Sequence, residues 1–186
     1  MNCGCDIDFV TCMRFNCARS CDDLVGVLDD SSLTLFSLSL VPVCRFRCFE
    51  KVRCFALSAR CLVVFEENRV NVLERRERDL AKWHLILKQP TTWLANDCAV
   101  FDDADVVVAV AGSVVGGHVF SRARSDRTLR EERVAASRSI SCVHVRKSFL
   151  AVAALDGHVA IGRHGAEPPI VWFCENGQRI TGIELS

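Results

Sequence analysis

The sequence predicts an all-β protein assembled from repeated four-strand units. Three observations carry that reading. Short apolar alternation dominates the chain, helical periodicity is scarce, and one apolar–acidic–apolar pattern returns several times. The 186 residues are half apolar and a quarter charged, and 23 Lys and Arg balance 23 Asp and Glu. That length can bury a real core, and a content of only 4 Pro argues against wholesale disorder. Zero net charge removes the simplest case for a nucleic-acid or acidic-membrane binder.

The elements follow in order. Residues 10–15 read as a first strand, and 24–36 as a hairpin around Asp29-Asp30. Residues 43–49 set Arg45 and Arg47 against Cys44, Phe46 and Cys48, the period of two of a half-buried strand. A second unit repeats the scheme at 52–57, 61–73 and 83–87, with Glu66-Glu67 at its turn. The third opens at 97–101 and continues into 106–111, an apolar run of the kind covered on both faces. Its last strand, near 132–136, is weak. The fourth takes 140–145, 150–161 around Asp156-Gly157, and 170–174, and residues 179–185 read as the start of a further strand.

The repeat is explicit. LVGVLDDSSLTLF (24–36) lies over CLVVFEENRVNVL (61–73) without a gap at a shift of 37. Val25 and Val27 fall on Leu62 and Val64, and Asp29-Asp30 on Glu66-Glu67. Leu33, Leu35 and Phe36 fall on Val70, Val72 and Leu73. LAVAALDGHVAI (150–161) puts Leu150 on Leu24, Val159 on Leu33 and Ile161 on Leu35, with the acidic turn slipped by one. Residues 106–120 fit loosely and have lost the acidic turn.

Two strands, an acidic turn and two more strands, at a period of roughly 37 to 48 residues, are the content of one β-propeller blade. The predicted architecture is an antiparallel propeller of about four blades, at 6–49, 50–90, 91–136 and 137–178, with 179–186 beginning another strand. Four blades is the lower limit of closure. Either a four-bladed ring closes, or the ring is partial and another chain or a second copy must cover its open face. A plain antiparallel sandwich would show the same alternation. ERRERDLAKW (74–83) also admits a short helix in place of a hairpin loop.

DLVGVLDDSSLTLFSL and FLAVAALDGHVAI resemble the second strand, tight turn and third strand of WD-repeat β-propellers, with Asp30 and Asp156 at the turn Asp. The copies lack a Gly-His start and a Trp-Asp end. Phe36, Leu73 and Ile161-Gly162 stand where that family has Trp, so its hydrogen-bonded network through His, Ser/Thr, Asp and Trp does not carry over intact. The resemblance implies a non-enzymatic protein–protein interaction scaffold, a subunit of a multi-protein complex. It implies protein partners and no cofactor.

Candidate sites are few. Asp29, Asp30, Glu66, Glu67 and Asp156 occupy equivalent turns, and a propeller gathers such turns on one face that would attract a basic peptide. The bland alternative is that turn carboxylates bond their own backbone. Of 12 Cys, nine fall in the first 61 residues. No secretory signal is visible at 1–10, so the expectation is a soluble protein of the cytoplasm or nucleus whose cysteines are mostly buried thiols. The alternative is a zinc-binding adaptor using Cys3, Cys5, Cys17 and Cys21, with Cys17 and Cys21 in a loop. His118 and His158 follow Gly in GGH and DGH, which reads as turn chemistry. SRARSDRTLREER (121–133) reads as a solvated loop, too weakly charged and without the aromatics of a nucleic-acid site. No apolar stretch is long enough to span a bilayer.

Overall fold

The computed structural model describes residues 17–21, 23–29, 32–47, 51–75, 79–102, 106–123, 129–134, 138–147, 149–163, 170–174, 180 and 182–183. Within them the alternation becomes four separate four-stranded antiparallel sheets, each a simple meander. The first sheet holds β1 (Cys17–Cys21), β2 (Leu24–Leu28), β3 (Ser32–Ser37) and β4 (Pro42–Arg47). The second holds β5 (Val52–Leu57), β6 (Cys61–Glu66), β7 (Arg69–Arg75) and β8 (Trp83–Pro90). The third holds β9 (Ala95–Asp102), β10 (Val106–Ser113), β11 (Gly116–Ala123) and β12 (Arg130–Val134). The fourth holds β13 (Ile140–Arg146), β14 (Phe149–Ala154), β15 (His158–Arg163) and β16 (Ile170–Cys174).

The second and third sheets each bury their two faces against different neighbours, which is why four small sheets form instead of the two large ones of a sandwich. One apolar cluster joins Leu24, Leu28, Leu33 and Leu35 of the first sheet to Phe55, Leu57, Leu62 and Val64 of the second. Another joins Cys61, Val63 and Phe65 of the second to Cys98, Val107 and Phe120 of the third. The last joins Val108, Val110 and Val119 of the third to Val143, Leu150 and Val152 of the fourth. The alternation along β6 and β10 is therefore hidden in the composition, since both faces of these strands are covered. Close approach is bought with glycine at two of the three interfaces. A Cβ on Gly26 would lie 2.6 Å from Phe55 Cε2, and one on Gly112 would lie 2.5 Å from Ile140 Cγ2.

Several expectations change. Residues 10–15 lie outside the described residues, and the inner strand of the first sheet is Cys17–Cys21. The described residues of 74–83 form no helix. Strand β7 runs to Arg75, and Asp79 to Lys82 make a turn in which Trp83 Nε1 donates to Leu80 O at 3.0 Å. Its charges suit an exposed hairpin as well as a helix face. Residues 121–133 are partly strand, because β11 runs to Ala123 and β12 starts at Arg130. Ile180, Gly182 and Ile183 are not in a strand. Leu150 faces the third sheet whereas Leu24 faces the second, so that pair is out of register by one. Val159 and Ile161 do occupy the ladder places of Leu33 and Leu35, paired to Ala153 and Ala151 as those pair to Leu28 and Gly26.

Candidate functional site

The first strands of all four sheets converge on one cavity of about 490 Å³, lined among others by Arg19, Leu57, Asp97 and Val143. Asp97 ties three of these strands together. It pairs with Arg19 of β1, sits on β9, and accepts from the Val143 N–H of β13 at 3.0 Å. Asn96 Nδ2 donates to Ile140 O at 3.0 Å beside it, and Ser141 Oγ donates to Ile180 O at 2.9 Å. This cavity is where the sheets are pinned to one another.

The turn carboxylates are largely committed to their own hairpins. Asp29 accepts the Ser32 N–H at 2.6 Å and the Ser32 hydroxyl at 3.0 Å, with Arg45 Nη2 3.9 Å away. Glu66 is buried and pairs with Arg69. Asp156 pairs with Arg138 and with His158, whose ring Nδ1 lies at 3.0 Å. Glu67 is exposed at the tip of the β6–β7 hairpin. Asp30 lies outside the described residues. The turns with Asp29, Glu67 and Asp156 are topologically equivalent, each between the second and third strand of its sheet. The Gly reading of DGH is explained by Gly157, whose φ of 86° suits glycine alone.

Of the zinc candidates, the described residues include Cys17 and Cys21. Cys17 and Cys21 end a five-residue strand and are not in a loop. At ~3.3 Å per residue they stand ~13 Å apart, beyond two zinc–sulfur bonds of ~2.3 Å. Cys3 and Cys5 lie outside the described residues, among which no three Cys, His, Asp or Glu side chains converge. Cys54, Cys61, Cys98 and Cys142 are buried and form no disulfide. Burial pushes the Cys98 thiol well above its ordinary range, helped by a hydrogen bond to Cys54.

The third sheet departs from the others at the equivalent turn, and there the sequence reading missed a site. Its hairpin tip is Val114-Val115, 61% and 41% exposed. With Leu94, 43% exposed, these valines flank a cleft of about 840 Å³ at the junction of the second and third sheets. Arg53 of β5 and Glu131 and Arg133 of β12 supply its charges. Behind it lies a network. Trp93 stacks on the His118 ring with centroids 3.7 Å apart, and Trp93 Nε1 donates to Glu131 Oε1 at 3.1 Å. His118 Nδ1 lies 2.9 Å from the same oxygen, and Nε2 lies 3.2 Å from Ser113 Oγ. Burial lowers the His118 pKa, while Glu131 pulls it back up. The neutral ring donates at Nδ1 and accepts at Nε2. The single Ser113 Oγ proton is shared between His118 Nε2 and Gly116 O, which lies at 2.9 Å, and Ser113 Oγ accepts from the Val115 N–H at 3.2 Å. Phe65 and Phe120 pack below Trp93 at 5.9 Å each.

Ser113, His118 and Glu131 stand in the order of a hydrolase triad, but the Ser113 side chain is wholly buried and its hydroxyl closes the hairpin. A nucleophile must meet its substrate. The network is a brace that fixes the apolar tip and the Trp93–Leu94 segment against each other. One sequence signal did mark this place, namely the loss of the acidic turn in the third copy. The meeting of Trp93 with Glu131 across 38 positions carried no such signal.

No model of a known protein family matches the chain, and no curated protein matches it. Solved structures do. The computationally designed Ika8 protein aligns over 91% of this chain and 52% of its own at 13% identity, with a TM-score of 0.62. BBS1N, crystallised in complex with ARL6DN, aligns over 75% of this chain and 47% of its own at 14% identity, with a TM-score of 0.55. Hsv2 of Kluyvelomyces marxianus aligns over 76% and 43% at 13% identity, with a TM-score of 0.51. The chain thus spans about half the length of the structures it matches. At such identities the likeness concerns the fold alone. BBS1N and Hsv2 are propeller-type folds, and the chain is all-β, antiparallel and propeller-like.

Proposed function

We propose that the chain is a non-enzymatic protein-interaction scaffold, a WD-repeat-like subunit of a multi-protein complex. Its partner docks on the cleft between the second and third sheets. The observation that carries this reading is the trio Leu94, Val114 and Val115, exposed around a cleft of about 840 Å³ and held by a polar brace whose Ser113 and His118 are buried. Solvent-exposed apolar groups on a braced frame form a preorganised patch, which lowers the ordering cost of binding. Arg53 and Glu131 at the rim would orient a partner segment that carries an apolar anchor. The outward carboxylate Glu67 sets the charge of the same turn face for a partner with basic flanks.

The experiment is a photo-crosslinker placed at Leu94 in cells, followed by affinity measurement on the partner it captures. Val114→Glu is expected to weaken that partner by at least tenfold while the far-ultraviolet circular dichroism stays unchanged, and Glu67→Lys to weaken it less. Unaltered affinity in Val114→Glu would remove this cleft from the interface.

A further inference from the structure

The two end sheets expose the two halves of an interface that the chain already makes inside itself. The first sheet offers Leu24, Gly26, Leu28, Leu33 and Leu35 to the second sheet, which covers them. In the fourth sheet the ladder places of Leu24, Gly26 and Leu35 belong to Phe149, Ala151 and Ile161. No described sheet follows the fourth, and at the outer end of this face Phe149 and Ile161 are 50% and 39% exposed, against 0% for Leu24 and Leu35, while Ala151 and Ala153 at its inner end are buried. The covering face of the second sheet presents Leu62 and Val64. The 37-residue shift lays Val25 and Val27 of the first sheet on those two positions, and both valines are partly exposed. Among the described residues, none of the three apolar clusters joins the fourth sheet to the first.

The edges of these faces differ from those inside the chain. Between the first and second sheets Arg75 Nη2 reaches Asp23 Oδ2 at 2.8 Å, and between the second and third Arg122 Nη1 reaches Glu74 Oε1 at 3.2 Å. The same shift replaces Arg75 by Leu38 in the first sheet, 63% exposed. On the fourth sheet the ladder place of Glu74 belongs to the exposed Arg163, paired to Phe149. The end sheets therefore do not repeat the charge pairs of the inner joints.

We propose that two copies of this chain join end to end, the fourth sheet of each covering the first sheet of the other, so that a two-fold axis closes a ring of eight sheets. The inference rests on the propeller-like reading of the fold and names the occupant of its open faces. Eight sheets fall within the range in which propellers close. One copy supplies about half of the propeller-type chains it resembles, which cover 47% and 43% of their own length. Repeat sheets stack through nearest-neighbour faces, so a face that fits the following sheet also fits an equivalent sheet on another molecule. A head-to-tail contact gives a closed object only when its rotation closes, and two copies do so with two identical joints.

The test is sedimentation equilibrium and native mass spectrometry of the full chain in reductant from 1 to about 100 μM. The expected species has twice the chain mass. Ile161→Glu on one face and Val25→Glu on the other are each expected to weaken the dimer at least 100-fold. Leu38→Glu, at an exposed turn, is expected to weaken it about tenfold and keeps the test readable should Val25→Glu not fold. Leu85→Glu, an exposed position on β8, is expected to leave the mass unchanged. A monomer throughout the range overturns the proposal. So does a dimer broken by Ile161→Glu but indifferent to both Val25→Glu and Leu38→Glu, because the fourth sheets would then be meeting each other. Open chains growing with concentration also overturn it. A monomer that still binds its partner through Val114 would sink the second copy and leave the scaffold reading standing.

Discussion

The β2–β3 hairpin of the first sheet and the β10–β11 hairpin of the third solve one problem in two ways. Both must satisfy backbone groups at a tight turn. In the first, the Asp29 carboxylate at the turn takes the Ser32 N–H and hydroxyl. In the third, Ser113 at the end of the strand takes the Val115 N–H and shares its proton between Gly116 O and His118 Nε2. Moving the capping group back into the strand frees the tip from turn chemistry. Val114 and Val115 can then be apolar and exposed, whereas an Asp tip is consumed in holding its own shape. The comparison teaches that the departure from the repeat, more than the repeat, marks the surface available for binding.

Breaking each cap should have unequal cost. Ser113→Val strands the Val115 N–H and Gly116 O and removes the partner of His118 Nε2, so a loss of about 3 kcal/mol is expected in urea unfolding. It should also abolish binding at the cleft. Asp29→Ala loosens a part-exposed turn that water can reach, so about 1 kcal/mol is expected. Equal losses in the two variants would erase the distinction drawn here.

A smaller effect comes from pH. Burial holds the His118 pKa below its ordinary 6.5, so the unfolded chain takes up a proton that the folded chain refuses. Its stabilisation is full above 6.5 and is lost as the pH falls from there through the folded pKa. The difference in stability between the native chain and His118→Phe, followed from pH 7.5 to 5, should shrink on acidification. The smallest effect is expected at the fourth sheet. Asp156→Asn touches only a solvent-facing carboxylate and its neighbours Arg138 and His158, and should leave the melting temperature within error.

The sheets were legible because period-two alternation survives wherever one face is open, as in Leu24–Leu28 and Arg69–Arg75. The slip at Leu150 came from laying 150–161 on 24–35 without a gap, whereas the link from Ala153 to Val159 is one residue longer than that from Leu28 to Leu33. A single position reverses the face of every following side chain. Strand β12 reads poorly because REERV is an outer strand with four exposed residues and only Val134 buried. The turn acids were legible from composition, but their spending on local bonds was not, since Asp29 and Ser32 could each have faced outward. The brace of Trp93, His118 and Glu131 was invisible for a different reason. It joins a loop to two strands, and no spacing rule connects them.

The paired thiols of Cys54 and Cys98 give the molecule an internal clock. They lie between the second and third sheets, both buried, with Cys98 held protonated by its surroundings. An alkylating reagent can reach them only after those sheets part, since the thiolate and not the thiol reacts. Their labelling rate therefore counts openings of that junction, and a ligand seated in the cleft between the same two sheets should slow the count in proportion to its occupancy.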